Sequence, residues 1–176
     1  MRNHLILLAL LPILAFVNLG IFDKEMLKRD GEPILLELEP QDPRSLMQGD
    51  YMRLRYSLAS EARLDWQQAI EQNGENVREI PPRGLLIVTL GEHKRAVFSR
   101  FYQKGESLAP NERLFAARFP TKRTSSDIEI EPQSFFFQEG HAALYAKARY
   151  GILKLGKNGE HLLIGLADET GTQISP

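Results

Sequence analysis

Residues 4–22 (HLILLALLPILAFVNLGIF) contain no Asp, Glu, Lys or Arg. As a helix rising ~1.5 Å per residue, this run reaches about 28 Å, close to the ~30 Å hydrocarbon core of a bilayer. The segment therefore reads as an N-terminal membrane anchor. A cleaved signal peptide would need a shorter apolar core and a small-residue cleavage site. Gly20 has Asn18 two positions before it, a poor match to an A-x-A pattern, so an uncleaved anchor is the preferred reading. Pro12 lies mid-run, where membranes tolerate it if neighbouring groups satisfy the freed carbonyl. Asn18 could bond locally or to a neighbouring helix, but a lone polar residue near the interface is the preferred reading.

Charge leaves the orientation open. Arg2 and the free amine favour a cytoplasmic N-terminus, but Lys24, Lys28 and Arg29 follow the run closely, and the positive-inside rule counts all of them. A very short tail before a single anchor resembles a signal-anchor that exports the domain C-terminal to it. The expected location is the cytoplasmic (inner) membrane, single-pass, with the C-terminal domain periplasmic. The absence of cysteine fits either side, since no disulfide is required.

The chain beyond Phe22 is long enough for one domain with a single core. Of 22 basic and 23 acidic residues only Arg2 precedes it, so the domain is near neutral. Nucleic acid is not an expected partner, because that requires a concentrated basic surface. Residues 28–33 (KRDGEP) form the one candidate linker, with Gly31 placed to cap a helix and Pro33 to stop its resumption.

Within the domain the dominant period is two. Ile34, Leu36 and Leu38 alternate with Leu35, Glu37 and Glu39, and Met52, Leu54, Tyr56 and Leu58 alternate with Tyr51, Arg53, Arg55 and Ser57, predicting two half-buried strands. Residues 84–90 (GLLIVTL) suit a central strand, with 95–102 as its hairpin partner across the 91–94 turn. Residues 113–119 and 127–137 read as further strands. Asn158-Gly159 joins strands 150–155 and 161–166, supplying the positive φ values of a tight hairpin turn. Ser60 is positioned to cap a helix running to Gln72, with Ala62, Trp66, Ala69 and Ile70 on one stripe. A second, short helix is expected near 140–148. The chain is thus α+β: an N-terminal transmembrane helix with a short extension (1–31), then a mainly antiparallel β domain or partly open barrel with one or two helices (32–176).

Residues 49–56 read Gly-Asp-Tyr-Met-Arg-Leu-Arg-Tyr. This G-D-Y-x-x-L-x-Y pattern resembles the bacterial GDYXXLXY proteins. Asp42-Pro43-Arg44, Lys24-Glu25, the stretch from Phe135 to Gly140, Tyr145 and Arg149-Tyr150-Gly151 are similar to that family too. The resemblance implies a membrane-anchored domain of unassigned activity, whose relatives often accompany integral multi-pass membrane proteins. Physically the octapeptide reads as a turn feeding a strand, with Gly49 and Asp50 shaping the turn and Leu54 and Tyr56 facing the core. The functional alternative is a binding surface for a peptide or partner formed by Asp42, Arg44, Asp50 and Tyr51. Arg44 could pair with Asp42 or Asp50, or hold a partner carboxylate in its bidentate fork.

A serine-lysine peptidase resembling signal peptidase is the enzymatic alternative. Ser45 precedes Gly49-Asp50, and Lys94-Arg95-Ala96-Val97 comes later, in the expected order. However, Ser45 is followed by Leu46 rather than Met, the gap to Gly49 is short, and Lys94 falls in a polar turn rather than the desolvated pocket a lysine base needs. The four histidines show no metal-ligand spacing, and there is no phosphate-binding glycine loop. No cofactor is expected. Glu139, just after Phe135-Phe136-Phe137, is a further candidate: an apolar setting would raise its pKa, and a helix cap is the structural alternative. An accessory or interaction domain working with a multi-pass membrane partner is therefore the leading expectation.

Overall fold

The computed structural model describes residues 2–39, 51–73, 83–119 and 128–176, with side chains omitted for 2–9 and 69–73. Helix α1 (Arg2–Asp30) runs into β1 (Glu32–Glu37) with only Gly31 between them. Residues 28–33 thus fall in the end of α1, Gly31 and the start of β1. Gly31 N–H donates to the Leu27 carbonyl at 2.9 Å, and a Cβ on Gly31 would stand 2.4 Å from that oxygen. Close approach, not a left-handed φ, demands glycine here. The base of α1 packs on β7 (Tyr150–Leu155) and β8 (His161–Ala167). Lys154 Nζ donates to the Gly31 carbonyl at 3.0 Å, and Lys24 lies 3.7 Å from Glu160.

The remaining strands are β2 (Tyr51–Arg53), β3 (Arg83–Leu90), β4 (Arg95–Phe101), β5 (Glu112–Arg118), β6 (Ser134–Phe136) and β9 (Gln173–Ile174). Seven form one sheet in the order β5-β3-β4-β1-β7-β8-β9, and β2 pairs with β6 separately. All neighbours are antiparallel except β1 and β4. That parallel pair needs a crossover connection, and α2 (Ser57–Asn73) lies on it, packing against β4 and β1. Leu58 and Ala62 of α2 are buried, and its Trp66 meets Phe101 edge-on at 5.7 Å. The core is a single cluster that includes Leu36, Leu86, Phe115, Leu153 and Leu166.

The described sheet is open, not a closed barrel. It curls far enough for the β7–β8 turn to touch the edge strand β5, where Ala116 N–H donates to the Gly159 carbonyl at 2.9 Å. Two other expectations change. The strand expected over 51–58 ends at Arg53, and α2 begins at Ser57, so Ser60 is not the cap. Its alternation still holds as a burial pattern through Met52, Leu54 and Tyr56. The strand expected over 127–137 is reduced to β6, a Glu129–Arg118 bridge and a cis Glu131–Pro132 bond.

Both predicted hairpins form, with different turns. At 156–160 only Gly159 has positive φ (+87°), and Gly159 N–H donates to the Gly156 carbonyl. This is a three-residue loop rather than a two-residue Asn-Gly turn. Between β3 and β4, His93 (φ 54°) and Lys94 (φ 59°) are consecutive left-handed residues, and Arg95 N–H donates to the Glu92 carbonyl. This is the type I′ arrangement that Asn-Gly favours. Replacing His93 with Asn and Lys94 with Gly is expected to stabilise the fold by about 1 kcal/mol, partly offset by glycine's unfolded-state entropy. Melting temperatures of the full chain should rise by roughly 2–4 °C.

Along α1 the described side chains from Leu10 to Phe22 are exposed on every side; Leu11 is 63% and Phe16 79% accessible. Asn18 donates to the Leu14 carbonyl at 2.8 Å, so it takes the local bond rather than the preferred reading of a lone polar residue. Among the described residues no helix is long and apolar enough to cross a membrane. Leu10 to Phe22 alone falls short of the ~20 residues a span needs.

Candidate functional site

The described part of the octapeptide, residues 51–56, lies at the end of the sheet away from α1. Glu32 pairs with Leu155 beside the helix base, whereas Glu37 pairs with Tyr150, roughly 17 Å further along the strand. Past Glu37, Leu38 bridges Tyr56 and Glu39 N–H donates to the Arg55 carbonyl. Met52, Leu54 and Tyr56 are buried, while Arg53 and Arg55 point outward.

Distant stretches converge on this segment. Tyr51 pairs with Phe136 and Met52 with Phe135, and the Tyr51 and Phe136 rings are tilted at 5.6 Å. Phe135 and Phe137 pack on Tyr145 at 5.1 and 5.2 Å. Leu54 N–H donates to the Gln133 carbonyl, and the Tyr56 hydroxyl donates to the Pro132 carbonyl at 3.0 Å. Burial raises the Tyr56 pKa, keeping the phenol neutral. A Cβ on Gly151 would stand 3.2 Å from Tyr56 Cε1, so glycine leaves room for the motif's last ring.

Two cavities, about 530 and 720 Å³, meet over Glu39, Arg53, Leu54 and Arg55, sizes typical of ligand clefts. Lys147, Arg149, Asp168 and Glu169 complete the charged lining of the first. Tyr51, Ser60, Arg63 and Glu129 stand in the second. Ser60 Oγ donates to the Glu39 carboxylate. Asp168 accepts from the Thr170 hydroxyl at 2.7 Å and from the backbone N–H groups of Thr170 and Thr172, and these bonds, the hydroxyl's first, lower its pKa.

Of the residues expected at a site, Tyr51 lines the second cavity. Asp42, Arg44, Ser45 and Asp50 lie outside the described residues. Lys94 is exposed in the β3–β4 turn, unlike a desolvated lysine base. Glu139 is exposed rather than held in an apolar setting. Nor does it cap the short helix α3 (Ala142–Tyr145), whose N-cap position is His141. Among the described residues no cluster of three or more His, Asp or Glu could hold a metal.

Sequence reasoning missed Arg53, Arg55, Arg63 and Arg149. The first two read as the solvated face of a strand, and only the tertiary fold shows that this face floors a groove. The family model of the GDYXXLXY proteins matches residues 13–166. The chain belongs to this family. No curated protein and no solved structure matches it. In this GDYXXLXY protein the fixed Leu54 and Tyr56 are core residues, and the variable Arg53 and Arg55 face outward. The octapeptide thus holds the fold together from one side and presents a surface from the other.

Proposed function

We propose that this GDYXXLXY protein is a membrane-anchored accessory domain, displayed outside the cytoplasmic membrane by α1 and working with an integral multi-pass membrane partner. The observation that carries this reading is the exposed apolar surface around α1 from Leu10 to Phe22, joined to a base docked on the β7–β8 hairpin. With residues 4–9 the uncharged run is long enough to span. A helix apolar on all faces is at home in lipid rather than on one side of a soluble core. Its family and the groove at the opposite end of the sheet suit a domain that engages a partner. No observation favours the peptidase alternative.

The test is fractionation and fusion of the full chain. Alkaline carbonate should leave the protein in the membrane pellet, with its full mass retained. A reporter active only in the periplasm, fused after Pro176, should be active, and a cytoplasm-dependent one silent. Co-purification in mild detergent should recover a multi-pass membrane protein. Release into the soluble fraction would overturn the anchor, and the opposite reporter pattern would place the domain in the cytoplasm.

A further inference from the structure

We infer that the groove over Arg53, Leu54 and Arg55 receives an extended, acidic segment of the partner protein. The inference rests on the interaction role proposed above and names the chemistry of that interaction.

Charge pairing elsewhere in the domain provides the contrast, Arg83 at the exposed start of β3 apart. Arg100 is bound by Glu106 and Glu112, Arg113 by Glu32, and Arg118 by Glu131, while Arg95 lies over the Tyr150 ring. Arg29, at the helix base, pairs with Asp30. Arg53, Arg55, Arg63 and Arg149 have no ion pair or hydrogen bond from their side chains among the described residues, and all four line the two cavities. The carboxylates in the same groove do not pair with them. Glu39 takes the Ser60 hydroxyl, and Asp168 is filled by its own turn. Glu129 and Glu169 also line the groove, so its balance is only slightly basic. Its distinguishing property is a set of open guanidinium forks, which suit bidentate capture of carboxylates.

Shape and position select the occupant. The cavities adjoin across Arg53–Leu54–Arg55, with arginines in both and apolar Leu38, Met52 and Ala148 in the wall of the first. Two adjoining cavities with cations in each fit a chain carrying spaced carboxylates. Its place beyond the far end of β1 from α1 puts it away from the bilayer, which disfavours a lipid headgroup.

The full chain in phosphatidylcholine nanodiscs should bind a fluorescein-labelled peptide of alternating Glu and Leu, read by anisotropy. It should bind the Gln-for-Glu peptide on the order of tenfold more weakly. Affinity for the Glu peptide should fall with added salt. R53A/R55A should weaken binding by on the order of tenfold or more with an unchanged melting temperature, and R53K/R55K should recover only part. R149A, in the loop before β7, should independently weaken binding should R53A/R55A melt early.

Equal binding of the two peptides, no saturable binding, or wild-type binding by both alanine variants overturns the inference. Displacement by inorganic phosphate at the same charge concentration reassigns the groove to a small anion. Displacement by phosphatidylglycerol vesicles reassigns it to lipid. Recovery of the same membrane partner by wild type and R53A/R55A overturns the groove assignment while leaving the accessory role standing. Recovery of no partner by wild type removes that role instead.

Discussion

Replacing Tyr56 with alanine is expected to cost about 3–5 kcal/mol, as other large aromatic deletions from cores do. The side chain is 3% exposed and packs over Gly151, and its hydroxyl holds the Pro132 carbonyl at 3.0 Å. Truncation opens a cavity between β1, β7 and the 130–133 segment and leaves that carbonyl unpaired. Against a total stability of ~5–15 kcal/mol, the loss corresponds to a melting temperature lower by roughly 6–20 °C. Tyr56→Phe keeps the ring and loses only the hydrogen bond, so about 1 kcal/mol should go. Thermal melts of the full chain monitored by near-UV circular dichroism separate the two. Equal losses for both variants would show that the hydroxyl, not the ring, carries Tyr56's contribution.

Phe115→Ala should be as damaging, and should also change how stability depends on pH. Phe115 is fully buried, and its ring stacks on His161 at 4.2 Å. Both imidazole nitrogens face carbonyl oxygens, Nε2 at 2.8 Å from Glu131 and Nδ1 at 3.4 Å from Gly159. The shorter contact places the proton of the neutral ring on Nε2. Burial is the largest influence on His161 and lowers its pKa, outweighing the two backbone carbonyls that raise it.

The folded pKa lies below the unfolded value of ~6.5, so the unfolded chain takes up the proton first. The contribution of neutral His161 is complete above the unfolded pKa and is lost as pH falls toward the folded one. In Phe115→Ala water reaches the ring and the shift shrinks. The variant should lose about 3–5 kcal/mol near pH 7.5, and a smaller difference from wild type should remain near pH 5.5. Melts at both pH values check this, with His161→Gln as the control that removes the titration and keeps the fold. A difference from wild type that is unchanged between the two pH values would show that burial by Phe115 does not set the His161 pKa.

The short junction at Gly31 bears on the proposed display of the domain. One residue separates α1 from β1, and Lys154 and Glu160 engage the helix base. The seam around His161 therefore sits beside the helix, and the arginine groove lies at the far end. Under the proposed function, a partner reaching the groove would extend away from α1 by about the length of β1.

Much of this was readable from local pattern. The uncharged run at residues 4–22, the alternation of Ile34, Leu36 and Leu38, the continuous run of β3 and the two hairpins come from hydrophobic period and turn residues, which act between close neighbours in sequence. The burial of Leu54 and Tyr56 has the same origin. The G-D-Y-x-x-L-x-Y residues by themselves carry the family resemblance. Tertiary structure alone decided the rest. The backbone between Arg53 and Ser57 leaves the strand because Tyr56 must reach Leu38 and Pro132, partners distant in sequence. The parallel β1–β4 pair depends on a crossover that no local period encodes. Arg53, Arg55, Arg63 and Arg149 come from separate segments, and each by itself looks like an ordinary solvated side chain. Only when β1, β2, α2 and the start of β7 meet do these four open guanidinium groups share one groove, because long-range packing, not local spacing, brings them together.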